Sequence, residues 1–224
     1  MSRFISYTRP DGRTAQGYLA EAEDPRAPGI VVIQEWWGLQ EQIKGLCDRL
    51  AASGYHALAP DLFQGIVVPY HDADQAARQM NSLNFLEATD QDVRGAAQFF
   101  AAQGKKVGLT GFCMGGAITL LGAVRVPELA AAVIFYGLPP AGVVDPADVR
   151  VPLQAHFANQ DTWCTPAAVD AFEAALKAAG RSCEIYRYDA DHAFVNQDRP
   201  EVYDPAAANL AWERSLAFWK RHLG

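Results

Sequence analysis

The sequence predicts an α/β fold: a mostly parallel sheet with helices on both faces and an antiparallel hairpin at the N-terminal end. Three observations carry that prediction. Continuous apolar runs recur along the chain, the clearest being Gly29-Ile30-Val31-Val32-Ile33, as expected of strands buried on both faces. After the first 20 residues such runs alternate with segments of helical spacing. The stretch Lys106 to Gly116 reads as a buried strand, a sharp turn through Gly111-Phe112-Cys113, and a helix opened by Gly115-Gly116. The 224 residues, half of them hydrophobic, hold no linker, repeat or low-complexity segment, so one domain over residues 1–224 is expected.

Taken in order, residues 3–8 and 15–20 alternate around Pro10-Asp11-Gly12 and predict the hairpin. The run from Gly29 ends at Glu35-Trp36-Trp37-Gly38, and a helix over about residues 40–53 stops before Gly54. His56 to Pro60 reads as a short strand, residues 61–71 as a loop, and Asp72 to Met80 as a polar helix. Thr89, with Asp92 three residues on, is the expected N-cap of a helix running to Gly104. Beyond the central turn, Ala130–Tyr136 and Val151–Phe157 are strands, the second leading to Asn159-Gln160-Asp161. A helix from Pro166 to about Ala179 precedes a strand over Ser182–Tyr188, which leads to Asp189-Ala190-Asp191-His192. A last amphipathic helix carries Leu210, Leu216, Phe218 and Trp219.

Charge narrows the partners. With 19 basic and 26 acidic residues the chain carries a formal −7, which argues against nucleic acid or an anionic membrane. No run of about 20 apolar residues is present and the first residues lack the pattern of a signal peptide, so a cytoplasmic protein is expected. The four cysteines, Cys47, Cys113, Cys164 and Cys183, are dispersed with neither disulfide nor zinc spacing. Neither a metal nor a cofactor is expected, and a monomer or weak homodimer is.

The chemistry gathers at predicted strand ends, where such sheets place their working groups. Gly111-Phe112-Cys113-Met114-Gly115 has the Gly-x-nucleophile-x-Gly form of a nucleophile elbow, with sulfur in place of oxygen. At the first turn of a helix, free N–H groups and the helix dipole favour a thiolate, below the usual thiol pKa of roughly 8.5. A thiol needs a base, and the base needs a third group to fix its tautomer. His192 supplies the imidazole. Asp161 is the favoured carboxylate, with Asp189 and Asp191 as alternatives; Asp191 adjoins the histidine, which is poor geometry for reaching Nδ1. Glu35 reads as a loop carboxylate that needs a partner if the flanking tryptophans bury it. Arg78, on a helix, reads by itself as a surface charge.

These residues together resemble the dienelactone hydrolase family of α/β-hydrolases. The matching motifs are Gln34-Glu35-Trp36-Trp37-Gly38, Ala59-Pro60-Asp61-Leu62-Phe63, Gly108 to Gly116, Phe135-Tyr136-Gly137, the Asp161 loop and Asp191-His192-Ala193-Phe194, in order over nearly the whole chain. The resemblance implies a hydrolase of small lactones or carboxylic esters, with carboxymethylenebutenolide the leading substrate. It also implies a triad of Cys113, Asp161 and His192, with an acyl-enzyme on Cys113. Glu35 would accept the hydrogen bond of the resting thiol and swing toward an arginine when substrate binds. The N–H groups of Trp36 and Met114 would form the oxyanion hole, and Arg78, Trp37, Tyr136 and Phe194 would contact substrate. The sequence departs from the family at Asn196, where dienelactone-active members have a second arginine, and at Ala193; Arg199 lies nearby in another register. With that arginine absent, Arg78 is expected to pair with Glu35. Other readings are a carboxylesterase for small neutral esters, a Cys113–Cys164 redox switch, or an inactive interaction module. The complete triad argues against the last.

Overall fold

The computed structural model describes residues 1–224. The N-terminal residues form the hairpin of β1 (Ser2–Thr8) and β2 (Thr14–Ala20), with Thr8 opposite Thr14 across the turn. The β-branched run forms β3 (Gly29–Ile33), followed by α1 (Glu41–Ala52) and β4 (His56–Pro60). Next come α2 (Ala73–Ser82), the single turn α3 (Phe85–Glu87), a π-helical stretch Ala88–Val93, and α4 (Arg94–Ala101). The remaining units are β5 (Val107–Phe112), α5 (Met114–Arg125), β6 (Leu129–Phe135), β7 (Leu153–Ala158), α6 (Pro166–Ala178), β8 (Cys183–Tyr188) and α7 (Pro205–His222).

All eight strands join one sheet in the order β1-β2-β4-β3-β5-β6-β7-β8. The hairpin pairs antiparallel, β2 pairs antiparallel with β4, and every other neighbour is parallel. Alternation along the buried strands sorts the core into two layers. Val31, Ile33 and Leu109 pack with Val93, Phe100, Ile118 and Phe172 on one face. Ile30, Val32 and Val133 pack with Leu46, Leu50, Phe218 and Trp219 on the other. Cys47 is buried in that second layer with Leu46 and Leu50. No helix is long and apolar enough to cross a membrane.

Two expectations need correction. Thr89 caps no helix. The helical segment starts earlier, where the Asn84 side chain accepts from the N–H groups of Leu86 and Glu87. The Thr89 hydroxyl instead donates to the Phe85 carbonyl at 2.7 Å, one turn back, within the π-helical stretch. Leu210 is 42 % exposed, so α7 buries Phe218 and Trp219 without it.

The turn between β5 and α5 is held by close backbone approach. A Cβ on Gly111 would strike the carbonyl of Gly115, and one on Gly115 would lie 2.5 Å from the Ile33 carbonyl oxygen. Gly45, exposed in α1, meets nothing within 4 Å. Gly115→Ala should therefore cost several kcal/mol or prevent folding, since backbone must move. Gly45→Ala should gain about 0.5–1 kcal/mol from helix propensity. Urea denaturation of the two variants checks both signs; an undisturbed Gly115→Ala protein would contradict the close packing.

Candidate active site

The chain reverses between β5 and α5 at one residue, Cys113, whose φ of 55° and ψ of −118° lie outside the ordinary regions for a side-chain-bearing residue. Such geometry costs on the order of 1–3 kcal/mol and is kept where the surroundings impose it. It stands the thiol at the N-terminus of α5, partly exposed.

Two neighbouring strand ends deliver the other groups. Beyond β7, the Asp161 side chain is buried, and its Oδ1 accepts the N–H groups of Trp163 at 2.7 Å and Cys164 at 2.9 Å. Its Oδ2 receives the Nδ1–H of His192 at 2.6 Å, beyond β8. Asp189 is engaged by Gln160 at 3.0 Å and Asp191 is exposed, so Asp161 is the carboxylate on the imidazole. Burial opposes the charged form of His192. Its bond to Asp161 and the nearness of Cys113 outweigh that effect and raise its pKa well above 6.5. The N–H groups of Trp36 and Met114 have no acceptor within the chain.

Glu35 is buried, at 2 % exposure, but its partners differ from those expected. Its Oε1 accepts from the Tyr136 hydroxyl at 3.1 Å and its Oε2 from Asn196 Nδ2 at 2.8 Å. The thiol makes no hydrogen bond to it, and neither does Arg78, which is exposed on α2 and lines no part of the cleft. Asn196 explains this, because its neutral amide occupies the buried position beside the carboxylate. Burial raises the Glu35 pKa, and Asn196, His192, Tyr136 and Arg199 only partly oppose it.

Phe194 also falls elsewhere. The backbone turns at Ala193, with φ of 65°, so His192 faces the cleft while Phe194 is fully buried against Tyr136 and Tyr188. Trp36 and Trp37 do line the cleft, and Tyr136 borders it.

The cleft has two lobes that meet at Cys113, His192, Met80 and Trp163. One, of about 440 Å³, is walled by Trp36, Trp37, Tyr70 and Arg199. The other, of about 360 Å³, is walled by Phe85, Ala117, Leu138 and Pro140. Edge-to-face contacts run from Trp163 to Trp36 at 5.4 Å, on to Trp37 at 5.1 Å, and on to Tyr70 at 5.4 Å. Arg199 lies over Trp37 at 5.6 Å. Its Nε donates to Glu201 at 2.9 Å, while its terminal nitrogens have no partner. Sequence reasoning missed Tyr70, Trp163 and the placement of Arg199. Arg199 reaches the cleft because a turn, with its N–H on the Asn196 carbonyl at 3.1 Å, folds the chain back. No three His, Cys, Asp or Glu side chains gather to hold a metal ion.

Known proteins resemble this chain in sequence and in fold. The profile of the dienelactone hydrolase family matches residues 15–223. Protein usf of Aquifex pyrophilus is 33% identical over 100% of both chains. A protein of Escherichia coli strain K12, assigned as a carboxymethylenebutenolidase, is 34% identical over 96% of this chain and 84% of its own. Among solved structures, a protein of Klebsiella pneumoniae subsp. pneumoniae MGH 78578 assigned as a dienelactone hydrolase superposes with a TM-score of 0.86. It is 30% identical and covers 98% of this chain and 99% of its own.

The raised pKa of Glu35 sets a sign for stability. A buried acid that holds its proton longer in the folded chain destabilises the fold as pH rises from the unfolded value, near 4.5, through the folded one. Glu35→Gln keeps an acceptor for Asn196 and removes that loss. The variant should be more stable than wild type at pH 8, with the difference vanishing below pH 4.5. Denaturation curves at the two pH values check this, and a difference that grows on acidification would contradict it.

Proposed function

The chain belongs to the dienelactone hydrolase family, and we propose that it cleaves a small lactone or carboxylic ester through an acyl-enzyme on Cys113. The observation that carries the reading is the 2.6 Å bond from His192 to Asp161, set beside the strained Cys113 turn in one cleft.

In this reading Asp161 fixes His192 with its proton on Nδ1, leaving Nε2 to take the thiol proton. The thiolate attacks the carbonyl carbon, and the oxyanion collects the free N–H groups of Trp36 and Met114. The C–O bond then breaks, and the alkoxide leaves with the proton from His192. For a lactone, the leaving hydroxyl stays attached to the acyl group. A water that loses its proton to His192 attacks the thioester and frees the acid and the thiol. Glu35 acts here as a brace: with Tyr136 and Asn196 it ties the end of β3 beside Trp36 to the end of β6 and to the His192 loop.

For the substrate, a lactone bearing a carboxylate remains favoured, with Arg199 taking the role expected of Arg78. The free ends of Arg199 and their aromatic surroundings support this, since guanidinium forks suit carboxylates. A small neutral ester is the alternative, supported by Asp191 on the wall of the same lobe. A resolving role for Cys164 in a redox switch is disfavoured, because burial pushes its pKa up to about 12.

Hydrolysis of cis-dienelactone and p-nitrophenyl acetate tests the proposal. Cys113→Ala should abolish both activities, and Asp161→Asn should lower kcat by about 10³–10⁴-fold. Glu35→Gln should retain far more activity than Cys113→Ala. Arg199→Gln should raise KM for the dienelactone more than for the neutral ester. Turnover that survives Cys113→Ala would end the acyl-enzyme reading.

A further inference from the structure

We propose that the substrate has two arms: a compact or anionic arm in the Arg199 lobe, and an unbranched apolar arm of several carbons in the lobe between Phe85 and Pro140. This rests on the hydrolase reading above and adds the class of ester.

The two lobes differ in chemistry. Gln160, Thr162, Asp191 and Arg199 give the aromatic lobe its polar groups. The second lobe carries no Lys, Arg, Asp or Glu, and apart from His192 at the shared boundary Asn81 is its strongest polar group. Phe85, Met114, Ala117, Leu138 and Pro140 supply its walls. Both lobes reach Cys113, so a carbonyl held at the thiol can send one substituent into each. A compact lactone fits within one lobe and leaves the other empty. An apolar cavity of about 360 Å³ beside a nucleophile gains binding free energy only when apolar surface fills it.

Trp163 and Met80 divide the lobes. Trp163 is 68 % exposed, yet its backbone N–H is bonded to Asp161. The divider is thus anchored at its backbone to the carboxylate bonded to His192, and its ring packs edge-to-face on Trp36 at 5.4 Å.

Two ester series test this on the intact protein: p-nitrophenyl alkanoates from acetate to octanoate, with the chain on the acyl side, and n-alkyl 4-nitrobenzoates, with the chain on the alcohol side. In one series kcat/KM should rise by about two- to fourfold per methylene until the lobe is full, the larger factor being the equivalent of about 0.8 kcal/mol. Leu138→Trp should lower the hexanoate-to-acetate ratio, or its equivalent in the other series, at least tenfold. Leu138→Ala should move the optimum to a longer chain. Because these readouts are ratios and optima, a partial loss of folded protein leaves them interpretable, and Leu138→Ala stands by itself if Leu138→Trp does not fold. Cys113-dependent turnover of p-nitrophenyl acetate with no rise in either series would overturn the two-armed substrate and leave the hydrolase reading standing. Silence on every ester with Cys113-dependent turnover of cis-dienelactone would do the same, and silence on cis-dienelactone as well, with folded protein, would overturn both.

Discussion

The close approach of β3, β5 and the first turn of α5 is the constraint on which the site depends. Gly115 lets α5 start against the carbonyl of Ile33, which brings Cys113 beside the Trp36 loop. The same contact leaves the N–H groups of Trp36 and Met114 free, at the ends of two adjacent parallel strands. A side chain larger than hydrogen at Gly115 would separate the Cys113 thiol from these N–H groups. The strained backbone at Cys113 is the local cost of this arrangement, and the packed layers on both faces of the sheet hold it in place.

Two buried carboxylates lie near that turn, and their environments divide them. Asp161 meets two backbone N–H groups and the imidazole of His192. Glu35 meets a phenol and an amide, both neutral, so burial governs it and its pKa rises. Asn196 is decisive in that contrast. An arginine there would place a formal charge beside Glu35, whereas the amide makes a fixed hydrogen-bonded brace between three loops.

The cleft that results is asymmetric. Aromatic rings and one guanidinium with free ends face one side of the thiol, and uncharged apolar side chains face the other. Its walls come from loops and from α2, α3 and α5, while Cys113, Asp161 and His192 sit at strand ends and at the start of α5.

The fold was legible in the sequence because buried parallel strands leave continuous apolar runs, and the chain order of Cys113, Asp161 and His192 follows from which strands end where. The motif around Cys113 was legible for a steric reason, since only glycine permits the approach at Gly111 and Gly115. Thr89 misled because a threonine bonding back one turn inside a helix looks the same in sequence as a cap. Phe194, Arg78 and Arg199 could not be placed from sequence, because a left-handed residue at Ala193 and a turn at Asn196 to Arg199 decide which side chains face the cleft. The partners of Glu35 come from residues 101 and 161 positions away. Local pattern decides which residues form strands, helices and turns; only tertiary packing decides which neutral or charged group ends up beside a buried carboxylate, because that choice depends on desolvation and distance.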